Sequence, residues 1–180
     1  MHRGAALPKG VRELQVMTGA FFSFTIIPSE RPTYNDALGA VRVGWMLSDV
    51  NGSGILRGNN EFLVEAFGSG VFEGPGSFMA GTTLLLRRNF LSDPDQEVVP
   101  YFQLGVGGLY NDAYKDKSQR SIGAALEFNL QASFGVRFFL NESWALTFEA
   151  GYRHISNAGL ARRNTGVDSL GGSVGLSYLY

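Results

Sequence analysis

The stretch IGAALEFNLQASFGVRF, residues 122–138, decides the fold class. Its even positions are Ile122, Ala124, Leu126, Phe128, Leu130, Ala132, Phe134, Val136 and Phe138. Its odd positions are Gly123, Ala125, Glu127, Asn129, Gln131, Ser133, Gly135 and Arg137. One face is wholly apolar and the other is polar or small. Strict alternation over this length is the signature of a β-strand. The run also exceeds the roughly 5–6 residues usual for a strand in a soluble protein.

The pattern recurs in both directions along the chain. Downstream, Trp144, Leu146, Phe148, Ala150 and Tyr152 oppose Ala145, Thr147, Glu149, Gly151 and Arg153. At the end, Leu170, Gly172, Val174, Leu176, Tyr178 and Tyr180 oppose a row of serines and glycines. Upstream, Leu14, Val16, Ala20, Phe22 and Phe24 oppose Glu13, Gln15, Gly19 and Ser23. Looser segments read at 38–48, 60–72, 77–90 and 98–110. Turn-rich stretches join them: PSERPTYND, SDVNGSG, EGPGS, SDPDQE, NDAYKDKSQ and LNES. The expectation is eight consecutive antiparallel strands in one domain over residues 1–180, with residues 1–10 as a flexible N-terminal segment.

The polar faces carry Glu13, Arg42, Glu65, Arg87, Glu127, Arg137, Glu149 and Arg153, four acids and four bases. Such groups can neutralise one another inside a narrow lumen. The apolar faces hold too many large side chains for an eight-strand interior, which is only just wide enough to be filled. Polar-in and apolar-out therefore describes an all-β, eight-stranded, antiparallel transmembrane up-and-down barrel. A soluble barrel or sandwich is the competing arrangement. Trp144 and Tyr152 stand eight residues apart on the apolar face. That is roughly 26 Å along a strand, or roughly 20 Å across a bilayer after tilting, near the spacing of two aromatic girdles. The chain ends on an aromatic, Tyr180. These features place it in a bacterial outer membrane among membrane lipids. No secretory leader is visible, since MHRGAALPKG has a basic start but no apolar core.

Composition excludes several classes. A net charge of −1 and a pI near 6.1 argue against a nucleic-acid partner. With no cysteine there is no disulfide, thiolate metal site or cysteine nucleophile. With only two histidines, His2 and His154, no metal site is expected.

His154 lies in YRHISNAGLARRNTGVD, residues 152–168. With both termini periplasmic, strands seven and eight join on the cell exterior. His154 and Ser156 share the outward parity of Tyr152. Asp168 shares that of Leu170 and Val174 on the next strand. A base, a hydroxyl and an acid thus converge on the outer wall near the outer-leaflet interface. Acyl transfer fits them: Ser156 as nucleophile, His154 as general base, Asp168 as the group orienting the imidazole. The Asn157-Ala158-Gly159 turn can aim backbone N–H groups at an oxyanion. The same residues also read as an interfacial histidine flanked by turn formers.

The hexapeptide HISNAG, residues 154–159, resembles the His-x-Ser-Asn motif of the outer-membrane lipid A 3-O-deacylases of the PagL type. The resemblance is specific over roughly residues 150–180. It implies an eight-stranded barrel with a Ser–His–acid triad on its outer surface. It implies hydrolysis of the 3-O-acyl ester of lipid A, without a cofactor, releasing a 3-hydroxy fatty acid. His154 then matches the family histidine and Ser156 the nucleophile. Asn157 and Gly159 match the residues whose amides form the oxyanion hole. The family acid is a glutamate about fourteen residues after the histidine, where this chain has Asp168.

Arg162 and Arg163 share the same outer loop and are candidates for the phosphates of lipopolysaccharide. Exposed, solvated arginines are the competing reading. Lys115, Lys117 and Arg120 of another outer loop read as solvated. A homodimer is compatible with the sequence. A non-catalytic structural or adhesive outer-membrane barrel is the alternative function.

Overall fold

The computed structural model describes residues 7–24, 32–93 and 96–180. Eight strands follow one another: β1 (Arg12–Phe24), β2 (Asn35–Met46), β3 (Gly58–Glu73), β4 (Phe78–Phe90), β5 (Val98–Asn111), β6 (Leu126–Phe139), β7 (Trp144–Ser156) and β8 (Val167–Leu179). Each pairs antiparallel with the next, and β8 returns to β1 to close a barrel. Closure leaves no unpaired strand edge. The starts of β1 and the end of β8 lie at one end of the barrel. The β7–β8 loop lies at the other, beside the β3–β4 and β5–β6 loops.

The alternation sets the two environments. Leu14, Val16, Leu84, Leu86, Leu104, Val106, Leu130, Phe134, Leu170 and Val174 point out and are exposed. Glu13, Gln15, Arg42, Glu61, Glu65, Arg87, Gln103 and Arg137 point in and are buried. An interior of buried charge is tolerated only when its members are paired. Arg42 Nε meets Glu65 at 2.7 Å and its Nη1 meets Glu149 at 2.9 Å. Arg137 Nη2 meets Glu13 at 2.5 Å and Glu61 at 2.7 Å, and Arg87 joins both carboxylates. Tyr101 donates to Glu149 at 2.8 Å and lies under the Arg87 guanidinium. The lumen is a packed plug of charge.

Aromatic pairs form two bands on the outside. Trp144, Tyr178 and Tyr180 stack at the end carrying the termini, with Trp45 and Phe62 nearby in level. Phe22–Phe72 and Phe78–Tyr110 mark the opposite rim.

Three expectations change. The long alternating run does not enter the sheet at Ile122, because β6 starts at Leu126. Gln119 accepts from the Ser121 and Ile122 amides, and Glu127 accepts from those of Gly123 and Ala124. These bonds draw residues 121–125 over the barrel mouth, where Ile122 is buried with Phe21, Tyr34 and Ile155 instead of facing lipid. Glu127 therefore serves loop amides and has no arginine partner among the described residues. Arg153 pairs with Asp36, an acid outside the expected set. Of the N-terminal segment, residues 1–6, with His2, lie outside the described residues. Residues 7–10 are tied under the barrel: Leu7 is buried and its carbonyl accepts from Asn59 at 2.6 Å.

Candidate active site

The last rungs of β7 and β8 carry the site. The register pairs His154 with Asp168 and Ile155 with Val167. His154 and Asp168 consequently stand directly opposite one another on the outer face. His154 Nδ1 and Asp168 Oδ1 are 2.6 Å apart. The carboxylate can only accept, so Nδ1 carries the proton and Nε2 is left as the basic nitrogen. Tyr152, two residues back on the same face, donates its phenol to the same Oδ1 at 2.5 Å.

Ser156 is the last residue of β7 and keeps the outward parity of His154. On its far side it pairs with Phe128 of β6. Its hydroxyl makes no hydrogen bond to a described residue, so the Ser156–His154 contact is not closed in this state. The two-residue step leaves their Cα atoms about 6.5–7 Å apart, close enough for a change of rotamers to bring the side chains together. Beyond Phe128 the outer wall has an apolar groove, floored by Ala80, Thr82 and Gly108 and walled by Tyr110, Phe128 and Leu160.

The chain turns sharply after Ser156. Leu160 N–H donates to the Asn157 carbonyl at 3.0 Å. The two central residues, Ala158 (φ 53°) and Gly159 (φ 84°), are both left-handed. Positive φ at an alanine costs about 1–2 kcal/mol, so the surroundings must impose it. They do so through Asn157, whose buried side chain donates to the Arg163 carbonyl at 3.0 Å and to Glu127 at 3.3 Å. Its Oδ1 accepts from the amides of Gly159 and Ala161, each at 3.2 Å. The Asn157 amide donates to Asn164 Oδ1 at 2.8 Å. Both amides expected to form an oxyanion hole are thus occupied by side-chain oxygens here. An oxyanion entering the turn has to displace Asn164 and Asn157 Oδ1.

The two loop arginines differ. Arg163 donates to the carbonyls of Tyr114, Asp116 and Gln119, at 2.7, 2.6 and 3.1 Å. It is a clamp between the β5–β6 and β7–β8 loops, with Nη1 and Nη2 engaged by backbone carbonyls. Arg162 is exposed and has no partner among the described residues. In the clamped loop, Ser118 donates hydroxyl and amide to Asp116 and holds that carboxyl below the usual aspartate range. Lys115, Lys117 and Arg120 are exposed.

Sequence reasoning missed Tyr152 as a partner of the acid, Asn164 and Gly166. Gly166 (φ 72°) sits where a Cβ would lie 3.0 Å from His154 Cε1 and 3.5 Å from Nε2. Only Tyr152 left a signal, its shared parity with His154. No group of three or more metal-ligating side chains occurs among the described residues.

A base held by an acid, beside a hydroxyl on the outer wall, is an arrangement that suits an ester hydrolase of the outer-membrane barrel type. The family model for lipid A 3-O-deacylase (PagL) matches residues 29–177. The chain belongs to that family, and it is an ester hydrolase of the outer membrane. The crystal structure of the outer membrane enzyme PagL superposes with a TM-score of 0.61 at 15% identity, covering 91% of this chain and 97% of that one. The outer membrane protein OprG from Pseudomonas aeruginosa gives 0.56 at 16% identity, covering 100% and 99%. The N-terminal barrel domain of Pseudomonas aeruginosa OprF gives 0.52 at 13%, covering 94% and 98%. A comparison with curated protein sequences finds no match.

Proposed function

We propose that this protein is a serine esterase that hydrolyses the 3-O-acyl ester of lipid A in the outer leaflet and releases a 3-hydroxy fatty acid. The observation that carries the reading is the 2.6 Å contact between His154 and Asp168 on the outer wall, with Ser156 on the same face. Family membership supplies the substrate class.

In this mechanism His154 Nε2 takes the Ser156 proton as Oγ attacks the ester carbonyl. Asp168 holds Nδ1–H and stabilises the imidazolium. The tetrahedral oxyanion is met by the amides of Asn157 and Gly159 as they exchange from their side-chain partners. Collapse expels the sugar hydroxyl, which takes the proton from His154. Water, activated by the same histidine, then frees the fatty acid and restores Ser156. No cofactor enters. The groove beyond Phe128 is apolar and lies at the acyl side of Ser156, so it suits the departing chain. Arg162 faces the head-group level and suits a lipid A phosphate.

The test is mass spectrometry of lipid A from Gram-negative cells exporting this protein or its Ser156→Ala form. Loss of one 3-hydroxyacyl mass with the wild type alone is the expected result. Unchanged lipid A with a folded barrel in the membrane makes the non-catalytic barrel the better reading.

A further inference from the structure

Tyr152 was placed by its pattern in the aromatic girdle, and its ring does lie 6.3 Å from that of Phe24. Its hydroxyl does something a girdle does not require. It donates to Asp168 Oδ1 at 2.5 Å, the oxygen that also meets His154 Nδ1 at 2.6 Å. The register explains the reach. His154 is opposite Asp168 and Tyr152 is opposite Leu170, so the phenol crosses the β7–β8 ladder on the diagonal. Diagonal neighbours about 7–8 Å apart are within range of an aromatic side chain. At the same rim Phe22, Phe24, Phe72 and Phe78 make the apolar contact with no hydroxyl, while Tyr110 carries one.

We propose that Tyr152 is a positioning residue for the deacylation, locking the Asp168 carboxylate against His154. The proposal rests on the Ser156–His154–Asp168 reading above. An aspartate hangs on a single methylene, and its carboxylate rotates unless both its position and its plane are held. Each donor on Oδ1 fixes one distance, and the two together restrict that rotation more than the His154 contact does by itself. The phenol is a second, charge-assisted donor on the oxygen that His154 uses. Asp168 then presents one oxygen to Nδ1 throughout the proton transfer, and Nε2 stays the base. The phenol never meets the substrate and moves no proton. It acts through Asp168.

The experiment compares wild type with Ser156→Ala, Asp168→Asn, Tyr152→Phe and the Tyr152→Phe/Asp168→Asn double variant. Each is refolded in detergent, with the folded barrel verified as the heat-modifiable band on a gel. Release of 3-hydroxy fatty acid is followed from lipopolysaccharide in mixed micelles. Phenylalanine keeps the ring on Phe24, so anchoring is retained. Tyr152→Phe is expected to leave KM unchanged and lower kcat about tenfold. The double variant is expected to be no slower than Asp168→Asn, because the phenol has nothing left to orient. Wild-type kcat in Tyr152→Phe, with Asp168→Asn impaired, overturns the proposal and leaves the tyrosine an anchor. A loss that adds in full to that of Asp168→Asn also overturns it, since the phenol then acts elsewhere. Wild-type release by both Ser156→Ala and Asp168→Asn instead sinks the underlying triad reading.

Discussion

His154 and Asp168 face each other across the final rungs of the β7–β8 ladder, Nδ1 to Oδ1 at 2.6 Å. The contact exists because the sheet register makes direct neighbours of two positions fourteen apart in the chain. A slip of one residue would turn Asp168 into the lumen. Closing the barrel on both sides of β8 prevents that slip, since β8 is also pinned to β1 from Leu179 to Asp168.

The orienting role of Asp168 predicts that Asp168→Asn leaves the barrel folded and lowers kcat by about 10³–10⁴. An amide can donate to Nδ1 and stabilise the wrong tautomer. Steady-state release of fatty acid from lipopolysaccharide measures it, and less than a tenfold loss removes Asp168 from the mechanism.

Gly166→Ala is expected to impair the site more than the fold. The left-handed backbone there costs an alanine about 1–2 kcal/mol. The added methyl meets the edge of the His154 ring, next to Nε2. Urea unfolding should show a small shift beside a loss of at least tenfold in kcat. A variant with wild-type kcat shows that the ring has room to move.

The two loop arginines should separate cleanly. Arg163→Ala frees three carbonyls of the β5–β6 loop. Trypsin is then expected to cut at Lys115, Lys117 or Arg120 in the folded protein, while Arg162→Ala stays resistant. If Arg162 binds a phosphate, its alanine variant raises KM and leaves kcat unchanged. Equal protease resistance of the two variants counts against the clamp.

Arg137 joins Glu13 and Glu61 in the lumen. Arg137→Ala leaves two buried carboxylates sharing Arg87 alone, a loss of about 3–5 kcal/mol. Leu86→Ala, on the lipid face, removes no buried partner and should cost far less. The comparison is read from urea midpoints of the two variants, and equal midpoints argue against the ionic plug.

Acid should loosen the outer loops at Asp112. Partial burial raises its pKa, but hydrogen bonds from the Ser77 hydroxyl and amide and the Phe78 amide outweigh that and lower it. A carboxyl depressed on folding stabilises fully above its unfolded pKa, about 3.9, and the contribution fades as pH falls through the lower folded value. The protection factors of the Ser77 and Phe78 amides, taken against the intrinsic exchange rate at each pH, should therefore fall below about pH 4. Asp112→Asn should show the lowered protection already at neutral pH.

Much of this was legible in the chain. Period-2 alternation made eight strands and their orientation readable, because a residue facing lipid and one facing a charged lumen cannot be exchanged. Parity alone put His154, Ser156 and Asp168 on the outer face. It failed where loops begin. Ile122 continues the apolar pattern and yet turns into the barrel mouth, because Gln119 and Glu127 take the backbone amides that a further rung would have used. Arg163 reads like Arg162 in sequence, and only the loop lying beside it separates a clamp from an exposed cation.

The sequence by itself determined the barrel, its polar inside and apolar outside, and the wall on which the site stands, since those follow from a repeat of two residues. Tertiary structure alone decided the partners. Asp36 pairs with Arg153, Tyr152 with Asp168 and Asn164 with the Asn157 amide. Each of these depends on strand register and loop closure, which bring distant residues within hydrogen-bond range and leave no periodic trace in the chain.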